Sequence, residues 1–458
     1  MKSDVAEADV MIVGGGFSGT MMAAQLARRG LKVVLVEGGG RAGQGTAYST
    51  RAAVDLLNVP AAKMSAWPDR PDDFVAAGHA AGAFAPRRDF GVYLRSILDL
   101  AVAEGVVLVA ASAVSAVRSS KWRVTLDDGL EYSARALVLA QGNQPPEPMR
   151  VGEGIDPALF INNPWGDEAR AAIARVARED GDVLILGTGL TMVDQVLSLD
   201  AAGHRGKIVA LSRRGQMPRG HAAHDLVPVE LADVPQNNVL ALWRWLRRRS
   251  AMVGWRGAVD SLRPHAQALW RGLSDGEQRR FLRHARPYWD VHRHRIAPQV
   301  AEQLQAMIAE GRLEVAAGRV RAVRALATLR DVPSTGSVVR QDERDVLMVE
   351  IARRGDRSSL GPSREREVRF AAVFNCTGPL GAMGRTRDGL LRQMIEAKLV
   401  AVDRLGMGLA VDGASRAGER VWALGPLTKG AFWEIVAVPD IRHQVAQVAD
   451  QIAKELSA

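Results

Sequence analysis

The sequence holds one cysteine, Cys376. That excludes an intrachain disulfide, a cysteine metal cluster and any redox route that needs a thiol pair. No apolar run approaches the roughly 20 residues that a membrane-crossing helix requires. Residues 1–9 are polar and acidic, and the apolar stretch after them breaks at once into glycines. Neither a signal peptide nor a transit peptide is expected there, and the cytoplasm is the default location. Aromatic residues make up only 5% of the chain, yet five of the ten tryptophans fall within 241–300. Acidic residues are scarce in that stretch, where thirteen arginines stand against four Asp or Glu, matching the chain's whole net charge of +9. The charge is therefore local. Arginine interleaved with tryptophan suits a nucleic-acid surface, but it also suits a helical insertion whose apolar face packs inward. The second is the reading taken, so nucleic acid is not an expected partner.

At 458 residues, 47% apolar and 24% charged, the chain is long enough for two or three domains of ordinary soluble composition. The short apolar run Val10-Met11-Ile12-Val13 ends in Gly14-Gly15-Gly16-Phe17-Ser18-Gly19. A helical pattern follows over residues 20–29, then a second apolar strand over 32–37 that ends on Glu37 and is followed by Gly38. Strand, glycine turn, helix and strand in this order specify a dinucleotide-binding fold. Gly14 makes the turn, Gly16 lets backbone approach a pyrophosphate, and Gly19 lets helix and strand pack closely. The helix start offers free N–H groups and a partial positive charge to phosphates. Glu37, with seventeen residues between it and Gly19, can accept hydrogen bonds from a ribose diol.

A similar beginning recurs. The run Asp182-Val183-Leu184-Ile185-Leu186 enters Gly187-Thr188-Gly189-Leu190-Thr191-Met192, with Met192 where the third glycine would stand. The next strand ends in Ser212-Arg213-Arg214 rather than on an acid. A carboxylate there would repel a 2′-phosphate, whereas guanidinium groups bind one by paired hydrogen bonds, so NADPH is expected over NADH. The halves also end alike: strands over 106–117 and 122–126 with a closing strand at 136–142, and later 313–323, 346–351 and 371–378. The expected fold class is α/β, with two Rossmann-like domains for FAD and NADP, the second inserted in the first. The expected domains are 1–160, first part of the FAD domain; 161–370, the NADP domain with a helical insertion over 215–300; and 371–458, second part of the FAD domain. Residues 326–345 and 353–367 read as polar surface loops.

The whole chain resembles the FAD-NAD(P)-binding family of bacterial flavoproteins. The residues that carry this are Gly14 to Gly19, Gly45-Thr46-Ala47-Tyr48-Ser49, Leu56-Leu57-Asn58-Val59-Pro60-Ala61, Lys63-Met64-Ser65, Gly187 to Asp194, Trp289 to Arg295 and Leu424-Gly425-Pro426. It is more distantly similar to class B and N-hydroxylating flavin monooxygenases. The resemblance implies that Gly45, Thr46, Ala47 and Tyr48, with Asn58, Val59, Met64 and Ser65, line a flavin. Val114, Ala140, Gly142 and Gly378 join the candidate cofactor contacts. Such proteins usually carry a Gly-Asp pair late in the chain that holds the ribityl group, whereas here Gly425 precedes Pro426. The backbone N–H of Gly425 or its neighbours is expected to substitute. A C-terminal helix is expected from Glu434 onward.

The implied cofactors are FAD and NADPH, acting on a small, anionic substrate with molecular oxygen as co-substrate. Three readings stay open: a monooxygenase, a flavin-dependent dehydrogenase or oxidase without NADPH use, and a flavin-bound RNA-interacting protein. Asp290, His292 and His294 alternate in a pattern that could serve acid–base chemistry, but Arg293 and Arg295 would repel a cation, and no metal is expected. No catalytic residue is assigned.

Overall fold

The computed structural model describes residues 6–326, 346–353 and 366–458. Apart from their edges, the two polar stretches at 326–345 and 353–367 lie outside the described residues. The chain divides into two compact units, Met1–Gln144 with Ala223–Arg286 and Leu380–Ala458, and Pro145–Ala222 with Pro287–Pro379. Among the described residues no helix is long and apolar enough to cross a membrane.

In the first unit the sheet runs Arg416–Gly418, Val421–Ala423, Glu131–Leu139, Ala6–Val13, Val33–Val36, Val107–Val109. Its centre is parallel, with Val10 beside Val33 and Val13 beside Leu139. Val33–Val36 is buried at every position, as a strand covered on both faces must be. The helix Phe17–Ala27 packs with the last helix, Val438–Ser457, through a core that includes Met22, Leu26, Val445, Val448 and Ile452. That last helix begins at Val438, four residues after the expected start at Glu434. Pro439 in its first turn is pre-set for helix, Ala437 before it is extended, and Glu434 holds a left-handed φ of 66° that no helix tolerates.

The Arg- and Trp-rich stretch is helical only from Val239, where the Asn238 side chain accepts the Ala241 N–H and caps the helix Val239–Leu262. Residues 215–238, expected to be helical, hold only the single turn Leu231–Asp233. Pro218, Pro228 and Pro235 each remove a donor and disfavour helix at the residue before. Residues 223–286 lie in the first unit, where Trp270 stacks on Trp433 at 4.8 Å and its Nε1–H donates to the Gly430 carbonyl at 2.8 Å.

The second unit repeats the plan. Its sheet runs Arg366–Phe370, Val346–Arg353, Leu313–Leu326, Ile208–Ser212, Val183–Leu186, Ala372–Asn375, Phe160–Ile161. The strands from Leu313–Leu326 onward pair in parallel, and the first three are antiparallel. The fold class is thus α/β with two Rossmann-like folds, the second interrupting the first along the chain, and with a helical insertion.

Candidate dinucleotide-binding sites

The first glycine turn is shaped by what its neighbours leave no room for. A Cβ on Gly14, whose φ is 102°, would fall 2.6 Å from the Ala140 carbonyl oxygen, and one on Gly19 would overlap the Gly14 carbonyl. Gly16 differs: a Cβ there would meet only the Gly45 Cα, at 3.6 Å. Two glycines therefore close the fold, and the middle one has only that ordinary contact, which leaves room for a cradle for phosphates. Gly43 N–H donates to the Gly15 carbonyl at 2.8 Å, which ties the one-turn helix Gly45–Tyr48 beside the glycine turn. Phe17 and Ser18 are buried at the start of the helix.

Glu37 is set by backbone. Its Oε2 accepts Gly15 N–H at 2.7 Å and its Oε1 accepts Gly39 N–H at 2.8 Å, which leaves further lone pairs on each oxygen. A Cβ on Gly38 would overlap the Ser112 hydroxyl, so residues 111–112 adjoin it. Val114 follows, 40% exposed, on the strand Ala113–Arg118. Ala140 and Gly142, with φ 69°, close the turn opposite Gly14. Between them, both polar atoms of the Gln141 side chain are buried without a hydrogen-bond partner among the described residues. An orphaned amide beside an open glycine turn and an anchored carboxylate fit an adenine dinucleotide. Gln141 carries no motif, and only its position next to the closing strand could have singled it out.

Asn58 and Val59 are half-buried, and Met64 lies in the core. Ser65 is fully buried, with its hydroxyl bonded to the Arg70 carbonyl at 2.6 Å and its own carbonyl accepting Arg442 Nη1 at 2.9 Å. The expectation for Gly425 needs correction. Its N–H is taken by Gln444 Oε1 at 2.8 Å, while Gln444 Nε2 donates to Ser415 and Thr428, each at 3.0 Å. Pro426 supplies no N–H. The glutamine that occupies this donor sits nineteen residues away on the last helix, beyond the reach of any local pattern.

The second turn repeats the first. Gly187, φ 110°, has no room for a Cβ because the Cys376 carbonyl lies against it, whereas a Cβ on Gly189 would meet nothing within 4 Å. Leu190 and Thr191 open the helix Leu190–Ala201, and Met192 is accommodated fully buried where the first turn has Gly19. Gly378, φ 97°, matches Gly142. Thr188 Oγ1 bonds the Gln216 carbonyl and, at 2.9 Å, Ser212 Oγ, which also accepts Gly215 N–H at 3.0 Å. Arg213 is exposed and without a partner among the described residues. Arg214 is half-buried, its guanidinium 5.0 Å from the Tyr288 ring centroid. Among the described residues, Gln216 Oε1 is buried without a hydrogen-bond partner at this second turn.

Cys376 is buried, and burial, reinforced by the Asp194 charge, pushes its thiol well above the usual range. His292 Nδ1 lies 2.8 Å from the Tyr288 carbonyl, and Arg295, 3% exposed, donates to the His292 carbonyl at 2.9 Å. His294 and Asp290 stand 4.0 Å apart. The Trp289 to Arg295 run is also tied to Arg219, whose N–H donates to the Val291 carbonyl at 2.9 Å. Among the described residues no three His, Cys, Asp or Glu side chains gather as a metal site would need.

The two turns repeat the strand, glycine turn and helix of a Rossmann-like fold. Residues 11–144 match the model of the FAD-NAD(P)-binding family, so the resemblance read from the sequence holds over that domain. A search of curated proteins finds no match. Among solved structures, the chain is similar to ornithine hydroxylase from Pseudomonas aeruginosa, at 17% identity and TM-score 0.62, covering 98% of this chain and 100% of that one. It is similar to L-lysine 6-monooxygenase from Pseudomonas syringae at 16% identity and TM-score 0.61, covering 98% and 99%. Thioredoxin reductase from T. acidophilum follows at 11% identity and TM-score 0.52, covering 99% of each. At these identities the likeness is one of fold.

Proposed function

We propose that this chain is an oxidoreductase that holds FAD on the turn Gly14 to Gly19 and takes its electrons from NADPH held on Gly187 to Gly189. Bound FAD would accept hydride from NADPH and deliver the electrons onward. The observation that carries the assignment is the contrast at the ends of the two second strands: an anchored carboxylate at Glu37 and two guanidiniums at Arg213 and Arg214. Glu37 would hold a ribose diol, and the arginines a 2′-phosphate. The Gln141 amide and Gln216 Oε1 would each find a partner in the ligand beside them.

We further propose that molecular oxygen is the acceptor and that a small anionic substrate is hydroxylated. The fold's likeness to ornithine and lysine hydroxylases supports this. A dithiol route, as in thioredoxin reductase, has no second cysteine here, and Cys376 is buried. The test is anaerobic titration of the yellow protein, first with NADH and then with NADPH, followed by admission of oxygen. NADPH should bleach the flavin at far lower concentration. With substrate present, hydroxylated product should replace hydrogen peroxide. Equal bleaching by both nucleotides would overturn the NADPH assignment, and peroxide alone under every substrate would overturn hydroxylation.

A further inference from the structure

The helix Val239–Leu262 leaves helical geometry at Gly254, φ 72° and ψ 155°, so its first arm ends at Val253. That arm is held at its start, where the Val239 N–H donates to Glu277 Oε2 at 2.7 Å and the Asn238 side chain accepts the Ala241 N–H at 2.8 Å. Its inner face carries the half-buried Leu242, Trp245, Leu246 and Val253. Arg249 fixes that face by donating to the Val227 and Pro228 carbonyls at 2.7 and 3.1 Å. Leu240, Arg244, Arg247, Arg248, Ala251 and Met252 recur at the three- and four-residue spacings of one helix face, and every one of them is exposed.

The outer face is unbalanced in charge. Arg244, Arg247 and Arg248 make no ion pair or hydrogen bond among the described residues. Residues 234–259 hold five arginines and no acid, so nothing on this arm offsets them. Guanidiniums three and four residues apart repel one another, so an anionic partner stabilises each. The face is also apolar at its ends. Leu240 is 50% exposed and Met252 79%, about 18 Å apart at 1.5 Å per residue. Leu226, 61% exposed, belongs to a segment that runs beside the helix, tied to Arg249 at Val227 and pressed on Gly257 through the Asp225 carbonyl. Asp225 is the one acid that this segment brings alongside.

We propose that this face lies on a membrane surface of anionic lipid, with the guanidiniums among phosphate headgroups and Leu226, Leu240 and Met252 at the acyl boundary. The helix lies in the interface and does not span it. Nucleic acid offers the same charge but suits the face less well. The exposed stripe carries no aromatic ring on which bases could stack, because Trp243, Trp245 and Trp255 are each half-buried. A duplex would pair with the arginines and leave the aliphatic ends in water. Anionic lipid uses both. A second copy of this chain, with its net charge of +9, would meet repulsion.

The experiment is flotation of the intact protein with phosphatidylcholine vesicles and with mixed phosphatidylcholine–phosphatidylglycerol vesicles. The mixed vesicles should bind it tenfold or more tightly, and raised salt should remove the difference. Arg244→Ala, Arg247→Ala and Arg248→Ala combined should weaken that binding about a hundredfold. The corresponding triple lysine variant should retain most of it, since a lipid surface reads charge rather than a guanidinium fork. Leu240→Ser with Met252→Ser should weaken vesicle binding about tenfold and leave binding to a short DNA duplex unchanged. All five positions are exposed, so the variants should melt with the wild type. Equal binding to the two vesicle types, or full binding by the triple alanine variant, would overturn the proposal. Tighter binding to the duplex than to the mixed vesicles would also overturn it and assign the face to nucleic acid. A dimer in sedimentation that the triple alanine variant breaks would overturn it in favour of self-association.

Discussion

Gly14→Ala and Gly16→Ala change the same motif by the same atom, and the structure separates their consequences. At Gly14 a methyl must sit on a backbone with φ 102° and 2.6 Å from the Ala140 carbonyl oxygen, with the Gln141 nitrogen at 2.9 Å. The backbone state costs on the order of 1–3 kcal/mol. Relieving the contact would move a fully buried strand end, so the total should be about 3 kcal/mol or more. At Gly16 the φ is −76° and the nearest atom is 3.6 Å away, an ordinary contact. Apo stability should stay within about 0.5 kcal/mol or rise slightly, because alanine restricts the unfolded chain. The new methyl would instead occupy the space into which the phosphates press. Loss of one or two charge-assisted hydrogen bonds, about 1.5–3 kcal/mol each, weakens FAD by roughly ten- to ten-thousandfold. Urea unfolding of the apo proteins and fluorescence titration with FAD give the two numbers. The reasoning fails if Gly16→Ala binds FAD as tightly as wild type, or loses as much apo stability as Gly14→Ala.

Arg213→Ala, at an exposed residue without a partner among the described residues, should leave the melting temperature unchanged and raise the KM for NADPH about tenfold or more. The KM for NADH should not move, and equal effects on both would refute the 2′-phosphate contact. Native protein should not react with a thiol reagent at mildly alkaline pH, since burial holds Cys376 protonated, and should react once denaturant is added. Rapid labelling of the native state would contradict that burial. Glu455 accepts from Arg416, at 3.3 and 2.5 Å, and this bond holds its carboxyl below the usual range. Its folded pKa lies below the unfolded one, so the stabilisation is present above the unfolded value and fades as pH falls through the folded value. Both side chains are about a third exposed, so Arg416→Ala should cost only about 0.5–1 kcal/mol near neutral pH and less in acid. Urea unfolding at two pH values checks this, and a cost that grows in acid would refute the sign.

Where a residue's role follows from its own backbone, the sequence was a sufficient guide. Gly14 and Gly187 are glycines because a carbonyl lies where a side chain would be, and the flanking apolar strands are short and fully buried. The antiparallel strands and the closing strands of both halves also follow from alternation and apolar runs, as in Trp122–Leu126 and Ala372–Asn375. What escaped depends on partners far along the chain. The Gly425 N–H looks available until Gln444 is brought against it, nineteen residues later. Gln141 looks like a loop residue until its amide is found buried and unpaired. The tryptophans of the insertion gave no hint that one of them, Trp270, would stack on Trp433 in the last part of the chain. The helical insertion expected over 215–300 does not include residues 215–238, whose three prolines would each cost a helix interior about 3 kcal/mol.

The two halves are close enough that their difference can be weighed. In each, the first glycine presses on the closing turn, at Ala140–Gln141 and at Cys376–Thr377, and the middle glycine is uncrowded, with one ordinary contact at Gly16 and none at Gly189. In each, a positive-φ glycine follows, Gly142 and Gly378, and a buried glutamine side-chain oxygen nearby lacks a hydrogen-bond partner among the described residues. Phosphate binding by the turn therefore cannot tell the halves apart. The residues after the second strand can. Two unit charges 4 Å apart interact by about 4 kcal/mol at the effective dielectric of a protein surface. A 2′-phosphate brought to Glu37 would be opposed by a carboxylate that two backbone N–H groups hold in place and that cannot swing aside without losing them. The same phosphate at Arg213 would gain an interaction of opposite sign. Discounted severalfold for solvent, the difference still favours one arrangement by more than tenfold, with the diol-bearing dinucleotide on the first turn and the phosphorylated one on the second.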